Sequence, residues 1–560
     1  MARNVNPSAR ALSAIVASGV AGYDYIIVGA GSAGCVLAAR LSADSAVSVL
    51  LIEAGGSERG HARMRMPLAW RDTFMDPRFG WAYLSEPEPC ADGRRIPAPR
   101  GKVLGGSSSV NGMMYSRGHP PDYDHWRSLG LSGWSYAEVL PYFRRAEANW
   151  RGVSVYHGAD GPLTVARHRT DGVLYPALIA TAEKLGFRHL QDFHGAELEG
   201  FSAPDFNVHR GHRASTVTRY LRPVMGRSNL KVETGALAHR VLLEGERAVG
   251  VEYQHGGELK QVHAEREVVL CGGAFNSPQL LLLSGIGPAA DLATHGIEAR
   301  HELPGVGRNL QDHQSVGAVY EARGPITFDS QLRLDRLVLS LLRWQLFGSG
   351  PIGELPVGAQ GFIRLNRDSP WPEAQFLVSP VSMQARPWFP GWRRGAGHVF
   401  SIANVVLHPC TRGSVTLRSA DPKDPPRILF NLLAAPEDRS TLRRMLRFVR
   451  EFFATAPAAQ LVSGERTPGA ALQSDAELDA YIRRSVGTAM HPTSSCAMGV
   501  DAQAVVDHEL KVRGLAGLRV VDASVMPTIV GGNTNAPVIM IAEKAADLIL
   551  GRPPLAPAAL

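Results

Sequence analysis

The hydrophobic positions of this chain cluster into short apolar runs, several of which end in glycines. Tyr25–Val28 is a β-rich run without polar alternation, as expected of a strand buried on both faces. Glycines follow at once, and the next stretch, CVLAARLS, has helical character. Val47–Ile52 predicts a second buried strand, ending on Glu53 and followed by Ala54-Gly55-Gly56, which completes a βαβ unit. Leu230–Tyr253 alternates as hairpin strands, Glu267–Gly273 reads as another buried strand, Leu518–Asp522 as a further one, and Pro537–Leu550 as a helix. Between residues 316 and 481 the texture changes. Trp, Phe, Pro and Arg become more frequent, short alternating strands such as Gly413–Leu417 occur, and helices are expected around Asp438–Ala454 and Asp475–Arg484. The pattern divides the chain into a discontinuous first domain (23–165, 211–315 and 482–552) and a second domain inserted into it (166–210 and 316–481), with a disordered tail over 1–22.

The 560 residues are too many for one hydrophobic core. Hydrophobic residues make up 45% and charged residues 20%, the balance of an ordinary globular enzyme. Runs such as Gln279–Ser284 and Pro537–Ile541 are far shorter than a membrane helix requires. The net charge of +7 is spread over scattered arginines with acids nearby, which does not make a nucleic-acid surface. Five cysteines (Cys35, Cys90, Cys271, Cys410, Cys496) form no CxxC or Cys/His cluster, so neither zinc nor a disulfide framework is expected. A reducing, cytoplasmic setting follows. Residues 1–23 lack acids and hold a mildly apolar run, the features of a cleaved leader in weak form.

Gly29, Gly31 and Gly34 form GxGxxG at the turn from strand to helix. The first permits the tight turn, the second lets backbone approach a pyrophosphate, and the third lets the helix pack on the sheet. Free N–H groups at the helix start then face the phosphates. Glu53, ending the next strand, is placed to accept ribose hydroxyls and to disfavour a 2′-phosphate. These features alone do not separate FAD from NAD.

Gly101–Asp124 reads GKVLGGSSSVNGMMYSRGHPPDYD and Gly273–Gly287 reads GAFNSPQLLLLSGIG. With Tyr23–Gly34 they resemble the signature blocks of the glucose–methanol–choline (GMC) oxidoreductases. Thr488–Gly499 (TAMHPTSSCAMG) and Leu518–Ile549 resemble the choline-dehydrogenase-like branch. The resemblance implies α/β plus α+β architecture: a split Rossmann-type FAD-binding domain, and an inserted substrate domain built on an antiparallel sheet flanked by helices. It places cofactor contacts at Gly29, Gly31, Ser32, Ala33, Gly34, Glu53 and Ala54. Further contacts are implied at Val103, Gly106, Ser107, Asn111, Gly112 and Met113, at Ala238 for the adenine, at Asp522 and Ala523 for the ribitol–phosphate side, and at Asn535 and Ala536 for the flavin pyrimidine. Some relatives attach the flavin through a histidine where this chain has Val110, so non-covalent FAD is expected.

The same resemblance implies the chemistry. His491 matches the base that takes the hydroxyl proton while hydride leaves the carbon for flavin N5, a role suited to imidazole. Asn533 matches its partner, hydrogen-bonding the substrate oxygen. His313 is read as packing between domains, and Cys496 as a small buried residue. The expected activity is oxidation of a primary alcohol to an aldehyde, with electrons passed to a quinone, a dye or another acceptor and peripheral membrane association through that acceptor. An oxygen-using oxidase and a non-redox, hydroxynitrile-lyase-like enzyme on the same fold are the alternatives. A nicotinamide dehydrogenase is set aside because the later blocks are flavin-family features. Choline is expected to be a poor substrate. Choline-oxidising relatives place a glutamate before a Gly-Phe-Ile-Arg-like strand, where Pro356–Arg364 has Gly358, with Glu354 just upstream. Trp371, Phe376, Trp388 and Phe389 are candidates for an apolar pocket instead.

Overall fold

A computed structural model of the chain describes residues 22–170 and 174–560. The tail or leader expected at the N-terminus falls on residues 1–21, outside those described. Along the chain, β1 (Gly22–Val28), α1 (Ser32–Leu41) and β2 (Val49–Glu53) form the first βαβ unit. β3 (Leu230–Thr234), β4 (Ala236–Glu244), β5 (Arg247–His255) and β6 (Glu258–Leu270) lead into α2 (Gly273–Leu283). β7 (Gln314–Ala322), α3 (Leu334–Phe347), β8 (Ala359–Ile363), β9 (Ala374–Ser379), β10 (Val399–Val406), α4 (Pro436–Ala454) and β11 (Val462–Thr467) come next. β12 (Leu518–Val520) and α5 (Asn535–Ile549) close the described fold.

The first sheet has the order β3-β2-β1-β6-β5-β4, with β12 also on β6. β3, β2, β1, β6 and β12 run parallel. The middle of this parallel part is buried on both sides, which is why Ile26, Ile27, Val49 and Leu51 need no polar alternation. One element departs from the sequence reading. Leu230–Thr234 pairs parallel with β2, and within Leu230–Tyr253 the antiparallel hairpin is β4 with β5. A single residue, Gly235 at φ +67°, separates β3 from β4, too short a link for a two-residue hairpin turn. The chain therefore bends there and continues into the antiparallel meander.

α1 and α5 pack together beside this sheet. They are tied by the fully buried Glu543, which accepts from Arg40 at 2.7 Å and Arg145 at 2.8 Å. Two cations and the Tyr220 hydroxyl (2.9 Å) satisfy that carboxylate, so its burial does not leave an orphan charge.

The second sheet is antiparallel, in the order β11-β7-β10-β9-β8, with Gly200–Ser202 at its far edge. Its two faces follow the period of two. Val316, Ala318 and Tyr320, Phe376 and Val378, and Phe400 and Ile402 pack in one core with Leu442, Met445, Leu446, Val449, Phe452 and Phe453 of α4. Ser315, Gly317 and Val319, Gln375, Leu377 and Ser379, and Ser401, Ala403 and Val405 face a large cavity between this sheet and the first. The strand Gly487–Thr488 pairs with the start of β7 and carries the chain directly into Ala489–Pro492 on the cavity wall. Among the described residues no helix is long and apolar enough to cross a membrane, and no metal-binding cluster occurs. All five cysteines are free.

Candidate active site

The cavity, about 1200 Å³, exceeds the ~300–1,000 Å³ of ordinary ligand pockets. Its two ends differ in character. At one end the βαβ turn builds a cradle for a dinucleotide. Gly29 stands at φ +103°, and a Cβ there would lie 2.5 Å from the Cys271 carbonyl oxygen. A Cβ on Gly34 would lie 1.9 Å from the Gly29 carbonyl oxygen, so this glycine is needed for the helix to pack. Gly31 is different: a Cβ would meet only the Cys271 oxygen, at 3.9 Å, and would project into open space on the cavity wall. That open approach to backbone is what a pyrophosphate requires. The N-termini of α1 and α5 converge here, where the Ser32 hydroxyl donates to Asn535 Oδ1 at 2.8 Å. Two helix starts thus present N–H groups and positive dipole ends to one place.

Glu53 accepts the Ala30 N–H at 2.9 Å and the Gly55 N–H at 2.8 Å. Burial pushes its pKa up to about 7 against those two donors, so further hydroxyl donors from a ribose would favour the ionised form. Gly29, Gly31, Ser32, Ala33, Glu53, Ala54, Gly106, Ser107, Asn111, Gly112, Met113, Ala238, Asp522, Ala523 and Asn535 all line the cavity. Gly34, Val103 and Ala536 do not. The Val103 side chain packs with Met64, Phe79 and Val110, and Ala536 is buried in the first core. Asp522 has a more internal role than its place at the sheet edge implies. It accepts from Ser524 (N at 2.8 Å, Oγ at 2.6 Å), the Gly273 N–H (2.8 Å) and the Ser277 hydroxyl (2.5 Å), so it clamps the end of β12 to the start of α2. Asn111 is held by the buried Arg213, which donates to Asn111 Oδ1 at 2.9 Å. Nothing in the sequence pattern singles out Arg213.

Across the cavity, His491 and Asn533 come together from segments far apart in sequence. Asn533 Nδ2 lies 3.0 Å from His491 Nε2. On the other side of the ring, His491 Nδ1 is 2.9 Å from His313 Nδ1, and His313 Nε2 is 3.0 Å from the Val530 carbonyl oxygen. These contacts fix the protons. A carbonyl oxygen only accepts, so His313 carries its proton on Nε2. Burial, assisted by the nearby His408, lowers the His313 pKa to about 3, so the ring is neutral and its Nδ1 accepts. His491 must then donate from Nδ1, which leaves its Nε2 lone pair facing Asn533 and the cavity. His313 therefore does more than pack between domains: it fixes His491 as the Nδ1–H tautomer.

The backbone around His491 is also pinned. Asp312 Oδ1 accepts the His491 N–H at 2.8 Å, and Arg100 donates to the Met490 carbonyl at 2.9 Å. Burial pushes Asp312 up to about 7, opposed by Arg100. Burial also lowers the proton affinity of His491 well below the ordinary imidazole value, with His313 and Arg100 adding to the effect. The arrangement can accept a proton from a hydroxyl at Nε2 while an amide N–H holds the same oxygen. Cys496 is buried and distant from any such arrangement, hydrogen-bonded through its N–H to the Ser524 carbonyl.

Beyond the histidine, the wall is built by Trp70, Phe74, Met114, Phe206, Leu355, Val357, Leu377 and Val381. Two sequence expectations are corrected here. Trp371, Phe376, Trp388 and Phe389 do not line the cavity: Phe376 lies on the α4 side of its strand, Trp371 packs on His408 with ring centres 4.9 Å apart, and Trp388 donates to the Asp329 carbonyl. Gly358 also points elsewhere, since a Cβ there would meet Leu178 at 3.1 Å. The neighbouring Val357 is the cavity residue. Glu354 pairs with Arg169 at 3.2 Å and is not on the wall.

Known proteins resemble this chain over nearly its whole length. The GMC oxidoreductase N-terminal family model matches residues 23–315, and the C-terminal model of the same family matches 409–542. An oxygen-dependent choline dehydrogenase of Photobacterium profundum is 44% identical over 540 residues, covering 96% of this chain and 94% of that protein. The mitochondrial choline dehydrogenase of Homo sapiens is 43% identical over 557 residues, covering 98% and 93%. The crystal structure of pyridoxine 4-oxidase from Mesorbium loti superposes with a TM-score of 0.85 at 33% identity, covering 95% of this chain and all of that one.

Proposed function

The chain belongs to the GMC oxidoreductase family, and from that premise we propose that it oxidises an uncharged primary alcohol, with His491 as base and Asn533 as the group that holds the reacting oxygen. It is an FAD-dependent oxidoreductase acting on CH–OH donors. Bound FAD supplies the two-electron acceptor for the hydride lost from the alcohol carbon. The residues lining the dinucleotide cradle would hold it. Val110, buried among Met64, Phe79 and Val103, offers no nucleophile for a covalent link. We take 23–165, 211–315 and 482–552 as a cofactor unit and 166–210 and 316–481 as a substrate unit, a division supported by the first sheet lying in the former and most of the second sheet in the latter, apart from Gln314–Ser315 and Gly487–Thr488.

In this reading the substrate hydroxyl lies between His491 Nε2 and Asn533 Nδ2, which are 3.0 Å apart without it. Asn533 donates to the hydroxyl oxygen and keeps donating as negative charge develops there, a preorganised electrostatic contribution. His491 takes the proton at Nε2, and the imidazolium formed is held through Nδ1–H by His313. The observation that carries the proposal is this tautomer-fixed pair at a cavity with a dinucleotide cradle.

The substrate class rests on the wall. The relatives' names specify choline, whose fixed positive charge must be desolvated and therefore asks for a carboxylate or an aromatic cage. Val357 stands where the wall runs past β8, and Glu354 is occupied by Arg169. The outer cavity carries Arg63, Arg71 and Arg386, against Asp72 and Asp76, and Asp76 is taken by Arg78 at 2.6 Å. That balance of charge disfavours a cation even though Trp70, Phe74 and Phe206 offer aromatic faces, and with Leu377 the same faces suit an aromatic or medium-chain alcohol. Electrons pass to a quinone or another acceptor, with oxygen as the alternative. The test is an anaerobic comparison of flavin bleaching by benzyl alcohol, a furan alcohol, hexanol and choline, followed by readmission of air. A tenfold or greater kcat/KM advantage for choline would overturn the substrate reading, and fast reoxidation by oxygen would overturn the acceptor.

A further inference from the structure

Helix α3 (Leu334–Phe347) is apolar on two opposite faces. Leu337, Leu341 and Trp344 turn inward, and the Trp344 indole N–H donates to the Gly211 carbonyl. Val338, Leu339, Leu342 and Leu346 project outward in a stripe at i, i+1, i+4 and i+8. Leu339 is 67% exposed, Leu346 73% and the adjoining Phe347 75%. An amphipathic helix of a globular protein ordinarily keeps its outward face polar, and this one carries a bare apolar stripe along its outer face among the described residues. The stripe is joined to a second exposed apolar group. The Leu334 N–H donates to the Trp388 carbonyl at 2.9 Å, and the same loop carries Met383, Phe389 and Trp392, the last 61% exposed.

The surroundings of this surface are cationic. Arg65, Arg336, Arg343, Arg386, Arg393 and Arg394 are exposed around it, and none pairs with a carboxylate among the described residues. Asp335, an exposed acid on the helix itself, pairs with Arg333 at 2.6 Å. We propose that the outer face of α3 and the Met383–Trp392 loop form a docking surface for an anionic phospholipid bilayer, with the leucines entering the acyl boundary and the arginines meeting the headgroups. Apolar side chains on one face of a helix, arginines flanking them and an exposed Trp are the features an interfacial helix needs. A second copy of the chain fits less well. A two-fold contact sets the same patch against itself and would bring these arginines together.

The surface also adjoins the cavity. Met75 and Met383 are both exposed and both line it, and Arg71 bridges the two segments by donating to the Ser382 carbonyl at 3.3 Å. Docking would therefore set the cavity mouth close to the lipid, where an amphipathic alcohol or a lipid-soluble acceptor collects. This consequence rests on the proposed function, whereas the surface itself does not.

The test is flotation of the FAD-loaded enzyme with phosphatidylcholine vesicles, with and without phosphatidylglycerol. The wild type is expected to float with the anionic vesicles, and less so at high salt. The triple variant Leu339→Gln, Leu342→Gln, Leu346→Gln should partition roughly tenfold less or weaker, with FAD content and turnover with a soluble dye unchanged. Leu259→Gln, an equally exposed leucine on the β5–β6 hairpin, should float like wild type. No flotation of the wild type, or equal flotation of the triple variant, would overturn the proposal. So would a wild-type dimer in light scattering that the triple variant converts to monomer without any vesicle binding. Flotation is indifferent to which alcohol is oxidised, so failure of the surface and failure of the substrate reading remain separate.

Discussion

Replacing His313 separates its role in positioning the base from simple packing. His313→Leu keeps an apolar side chain in the buried site but removes the acceptor for the His491 Nδ1–H, now 2.9 Å away, and the donor to the Val530 carbonyl. A neutral hydrogen bond contributes about 0.5–1.5 kcal/mol net, so its loss lowers the preference for the reactive tautomer by roughly 2- to 13-fold. Loss of ring orientation adds to this; the partners that orient metal-bound imidazoles, the nearest analogue, are worth about 10- to 100-fold. Flavin reduction in His313→Leu should therefore slow by about 10- to 100-fold, equivalent to about 1.4–2.7 kcal/mol of barrier. His313→Gln should recover much of the rate, because its amide can donate to Val530 and accept from His491 together. The assay is stopped-flow reduction of the bound flavin under anaerobic conditions, with flavin content and Tm measured in parallel. A His313→Leu enzyme within twofold of wild type would refute the tautomer argument. So would a His313→Gln enzyme as slow as His313→Leu with its flavin retained, since the reasoning demands a difference between them.

Four further outcomes follow from the same geometry. His491→Ala should retain FAD and reduce it on the order of 10²–10⁴ more slowly, and Asn533→Ala on the order of 10²–10³ more slowly; near-wild-type single-turnover rates in either would remove it from the mechanism. Gly31→Val should fold but fail to load FAD, because its side chain enters open cavity space, whereas Gly34→Val should fail to fold, because a Cβ would lie 1.9 Å from the Gly29 oxygen; circular dichroism and flavin absorbance distinguish the two. His491 must be neutral to act, so activity is present above its pKa and lost as pH falls through it. Burial, His313 and Arg100 depress that pKa, which places the acid limb of kcat/KM below pH 6.5, and a limb at or above 6.5 would contradict the assignment. Acid precipitation should release all the flavin into the supernatant, since Val110 cannot bond to it.

The cofactor end was legible because its glycines have a local steric meaning. A strand, GxGxxG and Glu53 specify a turn whose geometry depends on few distant contacts, and the structure places these residues around one cavity. His491 and Asn533 were legible only through the resemblance, since nothing local links positions 42 residues apart. His313 was named but its role was not, for the same reason: its partner lies 178 residues away. Leu230–Thr234 was recognised as a strand, but alternation reports which faces are buried and not which neighbour a strand takes. Its parallel pairing with β2 depends on the single-residue link at Gly235.

The substrate wall was the least legible part, and strand phase explains why. In a strand a shift of one residue moves a side chain to the other face. The sequence drew attention to Phe376 and Gly358, whereas the cavity is lined by their neighbours Leu377 and Val357. Alternation separates the two faces only in part: Ser315, Gln375, Ser379 and Ser401 mark the cavity side, but Val319, Leu377 and Val405 on that side are as apolar as Val316, Phe376 and Phe400 on the core side. A sheet that roofs a binding cavity mixes polar and apolar residues on its ligand-facing side, and the apolar members of that set are told from the core set only once α4 is seen to cover one face.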